Sequence, residues 1–240
     1  MSVRRALPDH DPAIAELDEA TRLTLAALWE ERARSEINTG SAFARVLTGL
    51  YEVGAEASVL DLAGRACTDE VRHAGLCAEL AGRYRGEAAR PLEPKRVHMP
   101  THVGAPRALL PHLHVVGLCC INESIAAAFL DACLAEARAE SVQVMHREHL
   151  ADDVAHARVG WAHLASRAVD DDTRRQIGEL VPRLLYANRE AWRDRIATLP
   201  EHGVPGHAYP ARAALMAVVD DAIDAIVRPG FDAVGVSVRR

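Results

Sequence analysis

The chain has 240 residues, 49% of them hydrophobic, and a net charge of -6. That is enough apolar material for one full core without a folding partner, and the negative charge gives no electrostatic footprint for nucleic acid. Apolar residues in the first 35 positions are interrupted by charge every few residues, which excludes a signal-peptide core or a membrane span there and predicts a cytoplasmic protein.

Residues 1–18 read as a loosely ordered N-terminal arm, after which Asp18 or Thr21 offers a cap for a first long helix running to about Tyr51. Trp29, Gly40, Phe43, Leu47 and Leu50 recur on it at helical spacing as the inward stripe. Gly54 turns the chain into a second helix over about 56–83. From Tyr84 to Pro106 the helical pattern is broken by Gly86, Pro91, Pro94, Pro100, Gly104 and Pro106, so a long connection is expected. A third helix is predicted over about 107–136 and a fourth over about 140–168. Asp170 to Thr173 supply caps for a fifth helix through about Thr198, with a kink expected at Pro182, and a Gly/Pro-rich loop over 200–210 precedes a short sixth helix ending near Arg228. The expected fold is thus all-α: a bundle over 19–168 and a C-terminal helical extension over 169–240. Five cysteines (Cys67, Cys77, Cys119, Cys120, Cys133) fall inside helical patterns, and none forms a Cys-x-x-Cys pair. They read as reduced core residues, without an iron–sulfur or rubredoxin-type module.

The chemistry lies in two similar constellations. Glu36 is followed by Asp69-Glu70-Val71-Arg72-His73, and Glu123 by Asp152-Asp153-Val154-Ala155-His156. A carboxylate and an imidazole three residues apart stack on one helix face about a turn apart, so both can reach one metal ion. A single such match is weak, but the heights agree. Glu36 and Glu70 stand 18 and 16 residues from Gly54, and Glu123 and Asp153 each stand 15 residues from Arg138. Each hairpin therefore carries its carboxylates roughly 24 Å from its turn. Glu30 and Glu31 compete with Glu36 for its role but would miss the height of Glu70.

His149 lies four residues before Asp153 and seven before His156, within about a 60° arc of the same face, and is a candidate seventh ligand. His146 continues that stripe and reads better as a non-ligand. Asp69 and Asp152 point about 100° away from the ligand that follows each of them, which suits a hydrogen-bonding role. Thr39 and Gly40 beside Glu36, and Cys119, Cys120, Ala126 and Ala127 beside Glu123, leave two readings open: a small-molecule pocket, or close helix packing. With only 4% aromatic residues, composition points to no stacking platform.

Over about Trp29 to Trp161 the chain resembles the ferritin-like di-iron carboxylate proteins, four-helix bundles with one long crossover, here about 84–106. The resemblance implies that Glu36 and Glu123 take the single-carboxylate roles, and that Glu70 with His73 and Asp153 with His156 take the paired roles. It also implies that Asp69 accepts from His156 and Asp152 from His73. The fourth helix departs from the pattern with Asp153 in place of Glu, and its His-x-x-x-carboxylate-x-x-His run resembles that of the arylamine N-oxygenases. The cofactor expected is two iron ions, with manganese the competitor and zinc disfavoured at six ligands.

The function expected is a dioxygen-activating oxygenase or oxidase acting on a small organic substrate, by N-oxygenation of an amine or by hydroxylation, with an external electron donor and no nucleic-acid or membrane partner. A homodimer is the candidate assembly. The alternative classes are a ferroxidase or iron-storage protein and a metal-free helical interaction protein.

Overall fold

The computed structural model describes residues 6–238, which form an all-helical protein; among them there is no strand, only two isolated bridges. The helices are α1 (Pro12–Ala15), α2 (Glu19–Glu52), α3 (Ala57–Arg85), α4 (Leu110–Val115), α5 (Glu123–Glu136), α6 (Glu140–Ala165), α7 (Asp171–Ala197), α8 (Arg212–Ala222) and α9 (Arg228–Ala233). A 3-10 turn, Arg107–Leu109, leads into α4, and π-helical segments join α4 to α5 (Val116–Asn122) and α8 to α9 (Ile223–Val227).

Local chemistry sets the limits of these elements. Asp18 caps α2 by accepting from the Thr21 amide at 2.9 Å, and Asp170 caps α7 by accepting from the Thr173 amide at 2.8 Å. Gly54 (φ +65°) turns α2 into α3, and Gly86 (φ +75°) ends α3 in the left-handed conformation open to glycine. α7 continues through Pro182, where a kink was expected. The expected loose arm differs more. Its residues 1–5 lie outside the described part, but Leu7 and Ile14 are buried in the core, and Asp11 accepts from the Ser141 amide at 2.8 Å. Asp11 thereby caps α6, whose own N-cap position is Ala139 and supplies no side-chain acceptor.

The long helices pack in pairs. α2 lies along α3, α5 and the π segment lie along α6, and α3 lies along α6. Trp29 meets His146 and Arg32 meets His149, each a partner 117 residues on, so α2 and α6 run parallel. On α3 and α6, His73 meets Asp152 whereas Asp69 faces His156, so these two run antiparallel. Residues 87–106 connect the pairs along α2: Arg90 pairs with Glu30 at 3.3 Å, and the Lys95 amide donates to Asn38 at 3.4 Å. The connection ends where Pro111 packs against Gly49. The C-terminal helices cover α5, with α8 against α5 and α7 against the π segment.

The helix Arg107–Glu136 is long and apolar enough to cross a bilayer, with mean hydropathy 1.7, but its most apolar stretch is 61% buried against its neighbours. The stripe expected on α2 is buried at Trp29, Gly40, Phe43 and Leu50, while Leu47 is half-buried and Val46 takes the inward position. All five cysteines are free thiols, four buried and Cys67 half-buried.

Candidate metal centre

Glu36 and Glu70–His73 face each other from α2 and α3, and Glu123 and Asp153–His156 face each other from α5 and α6. The backbones approach closely at this level. A Cβ on Gly40 would stand 3.2 Å from that of Glu70, and one on Gly160 would stand 2.4 Å from the Cys120 sulfur. Gly40, Cys119 and Cys120 therefore serve packing, whereas Thr39 and Ala126 line a cavity, so each of the two open readings holds for part of the small-residue set.

All seven candidate ligands converge. Glu70, Glu123, Asp153 and His156, all buried, present donor atoms within 4.8 Å of one another. Glu36, Glu70 and His73 do the same, and Glu36 and His149 form a third group with Cys77. Glu70 belongs to the first two groups and so links them. The buried set Glu70, Glu123, Asp153 and His156 could hold a metal ion. Its orphaned atoms fit that role: Glu70 Oε2, His73 Nδ1, His149 Nε2 and both ring nitrogens of His156 are buried without a hydrogen-bond partner. Buried polar atoms are costly to leave unpaired, and the inward-facing ones here, Glu70 Oε2, His73 Nδ1 and His156 Nδ1, are donor types that a metal ion could satisfy.

The two inner histidines are oriented alike. His73 Nε2 lies 3.1 Å from Asp152 Oδ2, leaving Nδ1 toward Glu70 at 3.7 Å and Asp153 at 3.9 Å. His156 Nε2 lies 3.7 Å from Asp69 Oδ2, and its Nδ1 lies 3.2 Å from Glu70 and 3.4 Å from Asp153. Both rings thus turn Nδ1 inward and Nε2 toward an aspartate of the facing hairpin. Arg72 joins this outer layer through Asp152, with Glu148 at 3.7 Å and Asp69 at 3.9 Å.

The ring of His149 is set differently, with Nδ1 3.4 Å from Arg32 Nη2. His146 Nδ1 donates to the Val142 carbonyl at 3.0 Å. Glu30 pairs with Arg85 and Glu31 with Arg34, so neither competes with Glu36. Compared with protein-family models, curated proteins and solved structures, the chain matches none.

The electrostatics are those of crowded acids. Burial raises Glu70 to about 8 against the pull of His156 and His73, with Glu36 and Glu123 adding repulsion. Burial likewise raises Glu123. Burial disfavours protonation of His73, yet its hydrogen bond to Asp152 and the nearby Glu70 carboxylate lift it to about 9. Burial pushes Glu36 up, but Arg32, 3.1 Å away, acting together with His73, Glu70 and Arg195, holds it below the ordinary carboxylate range. His149 is driven well below the ordinary imidazole value, by burial first and then by His73 and Arg32. It is neutral, as a metal ligand must be.

A cavity of about 650 Å³ opens onto this cluster, lined in part by Glu36, Glu70, Glu123 and Asp153. The rest of its lining, which residue patterns did not identify, includes Arg32, Arg195, Phe129, Trp192 and Tyr209. Arg32 precedes Glu36 by one helical turn, a spacing that could have singled it out. Trp192 and Arg195 stand 36 and 39 residues beyond the last candidate ligand, His156, so no local pattern linked them to it. Trp192 Nε1 donates to Asn122 at 3.2 Å, and Asn122 donates to Glu123 at 3.1 Å, so this part of the lining is tied to a candidate ligand.

Proposed function

We propose that the protein is a ferritin-like di-iron oxygenase acting on a small organic molecule. The observation that carries this reading is the set of orphaned donor atoms, shared between two groups through Glu70, at the floor of a ligand-sized cavity. Cavities of this size suit a small organic ligand. In this reading the pairs α2/α3 and α4–α5/α6 form the four-helix bundle, and residues 87–106 form its single long crossover.

Glu70, Glu123, Asp153 and His156 would hold one ion. Glu36, Glu70 and His73 would hold the other, with His149 as an added ligand. Carboxylate- and imidazole-rich sites suit iron and manganese. Two ferrous ions there would supply the electrons that begin the reduction of dioxygen, and anionic ligands stabilise their oxidised forms. One oxygen atom enters the substrate, at nitrogen or carbon, and the other leaves as water, with two electrons from an external donor and two protons. The chain's own residues set the conditions. Asp152 fixes the His73 ring through Nε2, Asp69 faces Nε2 of His156 with its negative charge, and Asn122 fixes Glu123.

Anaerobic loading of the full chain with ferrous iron, followed by metal analysis, tests the reading. Two irons per chain are expected, with stoichiometry lost in Glu70→Ala because that side chain serves both groups. Oxygen uptake should then depend on added reductant and substrate. Far more than two irons per chain in a hollow multimer would indicate iron storage, and no iron at all would leave a helical interaction protein.

A further inference from the structure

The charges around the cavity bear on what the substrate carries. Three arginines line it: Arg32, Arg34 and Arg195. Arg34 is paired with Glu31 at 2.7 Å and Arg32 with Glu36 at 3.1 Å. Arg195 has no carboxylate within ion-pair distance among the described residues. Its guanidinium lies 5.2 Å from the Trp192 ring centroid, a stacking position, and one N–H is given to the Ser35 hydroxyl. Stacked and anchored in this way, it keeps further donors on a fixed planar fork.

Arg195 is exposed, and it lines the cavity. The surrounding protein is dense enough for burial to lower its pKa, although Glu36 counteracts part of that effect. A guanidinium so placed remains charged and, among the described residues, lacks an ion-pair partner. Beside it the wall is apolar: Phe129 packs on Trp192 at 5.1 Å between centroids, with Leu28 and Leu199 nearby.

We propose that the cavity binds a small organic monocarboxylate, with Arg195 holding its carboxylate and the Phe129–Trp192 wall covering its apolar body. A single surplus cation matches a single negative charge. A dianionic phosphate would meet the same lone arginine in a cavity also lined by Glu36, Glu70, Glu123 and Asp153, which repel a second negative charge. The carboxylate is the substrate's handle, leaving the rest of the molecule to face the metal-binding cluster. This assignment rests on that cluster being the reaction centre, but its binding step needs no metal.

The metal-free full chain is titrated calorimetrically with 4-phenylbutanoate, 4-phenylbutanamide and phenyl phosphate. The acid should bind at least about tenfold more tightly than the amide or the phosphate, the ratio expected of one charge-assisted contact. Arg195→Met should bring acid and amide to within about twofold, and Arg195→Lys should keep part of the preference, because a point charge replaces a planar fork. The proposal is overturned if the wild type binds no acid, binds acid and amide alike, or prefers the phosphate, or if Arg195→Met retains the preference. Should Arg195→Met lose helicity, the wild-type comparison and Arg195→Lys decide. Iron stoichiometry in wild type and Arg195→Met separates the two readings. Acid preference without iron binding would sink the di-iron reading alone, and two irons without acid preference would sink the carboxylate assignment alone.

Discussion

His73 and His156 illustrate how one atom's environment sets the task of another. With Nε2 of His73 held by Asp152 at 3.1 Å, the ring cannot turn, and Nδ1 stays aimed at the carboxylates. Asp152→Asn keeps the shape but removes the charge that fixes the tautomer and raises the basicity of the inward nitrogen. A loss of about 10- to 100-fold in ferrous-iron affinity is expected, measured by chelator competition, with helicity unchanged. Unchanged affinity would mean that Asp152 serves only Arg72. His149 obeys a different constraint. Arg32 faces its Nδ1 at 3.4 Å, so Nε2 can offer a lone pair only if that contact is released and Nδ1 takes the proton. Histidine ligation at this position is therefore coupled to the placement of a cavity arginine.

At the scale of the element, the π segment Val116–Asn122 decides where Glu123 points. Its wider turn brings Cys119 and Cys120 against Gly160 of α6 and delivers Glu123 on the next turn. Gly160→Ala would drive a methyl group to 2.4 Å from the Cys120 sulfur and 2.8 Å from its backbone nitrogen. Destabilisation of about 1–3 kcal/mol is expected in thermal melts, with reduced iron stoichiometry as Glu123 shifts. Gly64→Ala on α3, where nothing lies within 4 Å, should be neutral or stabilising by up to about 1 kcal/mol. If both variants behave alike, the segment does not position Glu123 through Gly160. This segment also marks the limit of what residue patterns reveal. The long helices were legible because their apolar stripes and caps are local. The convergence of Glu36, Glu70, Glu123 and Asp153 was legible because helix rise converts counting into height. Val116 to Asn122 reads as ordinary apolar helix, since the extra residue per turn is imposed by packing. The rest of the cavity lining was hidden for a related reason: periodicity tells which face of α7 is buried but not that Trp192 meets Asn122. Scarce aromatics suggested no platform, yet Phe129, Trp192 and Tyr209 meet in one cavity.

Across the whole molecule, buried charge makes the metal-free protein sensitive to pH on both sides. Burial lowers His146 to about 3 and His163 to about 4, below the ordinary imidazole value that the unfolded chain shows. Between roughly pH 6.5 and 4 the unfolded chain therefore binds protons that the folded one does not, and stability falls as pH falls. Glu70 at about 8 and His73 at about 9 act in the opposite sense. The folded state holds their protons longer than the unfolded state, so stability is lost as pH rises through those values. Melting temperatures of metal-free protein should peak near pH 6 and decline toward pH 8. Ferrous or manganous ions should remove the alkaline decline, because they replace the protons. A metal-free melting temperature that climbs steadily to pH 8 would show that the carboxylate cluster is not protonated as described. The connection over residues 87–106 bears on the history of the chain as well as on its finished form. Among the described residues it is the covalent tie between one helix pair and the other, and the group of Glu70, Glu123, Asp153 and His156 exists only once both pairs have docked. A nascent chain that has made α2 and α3 holds Glu70 without those three partners. If the proposed centre handles oxygen, that chemistry would be deferred until the walls around it are in place, so that a reactive site would not precede its enclosure.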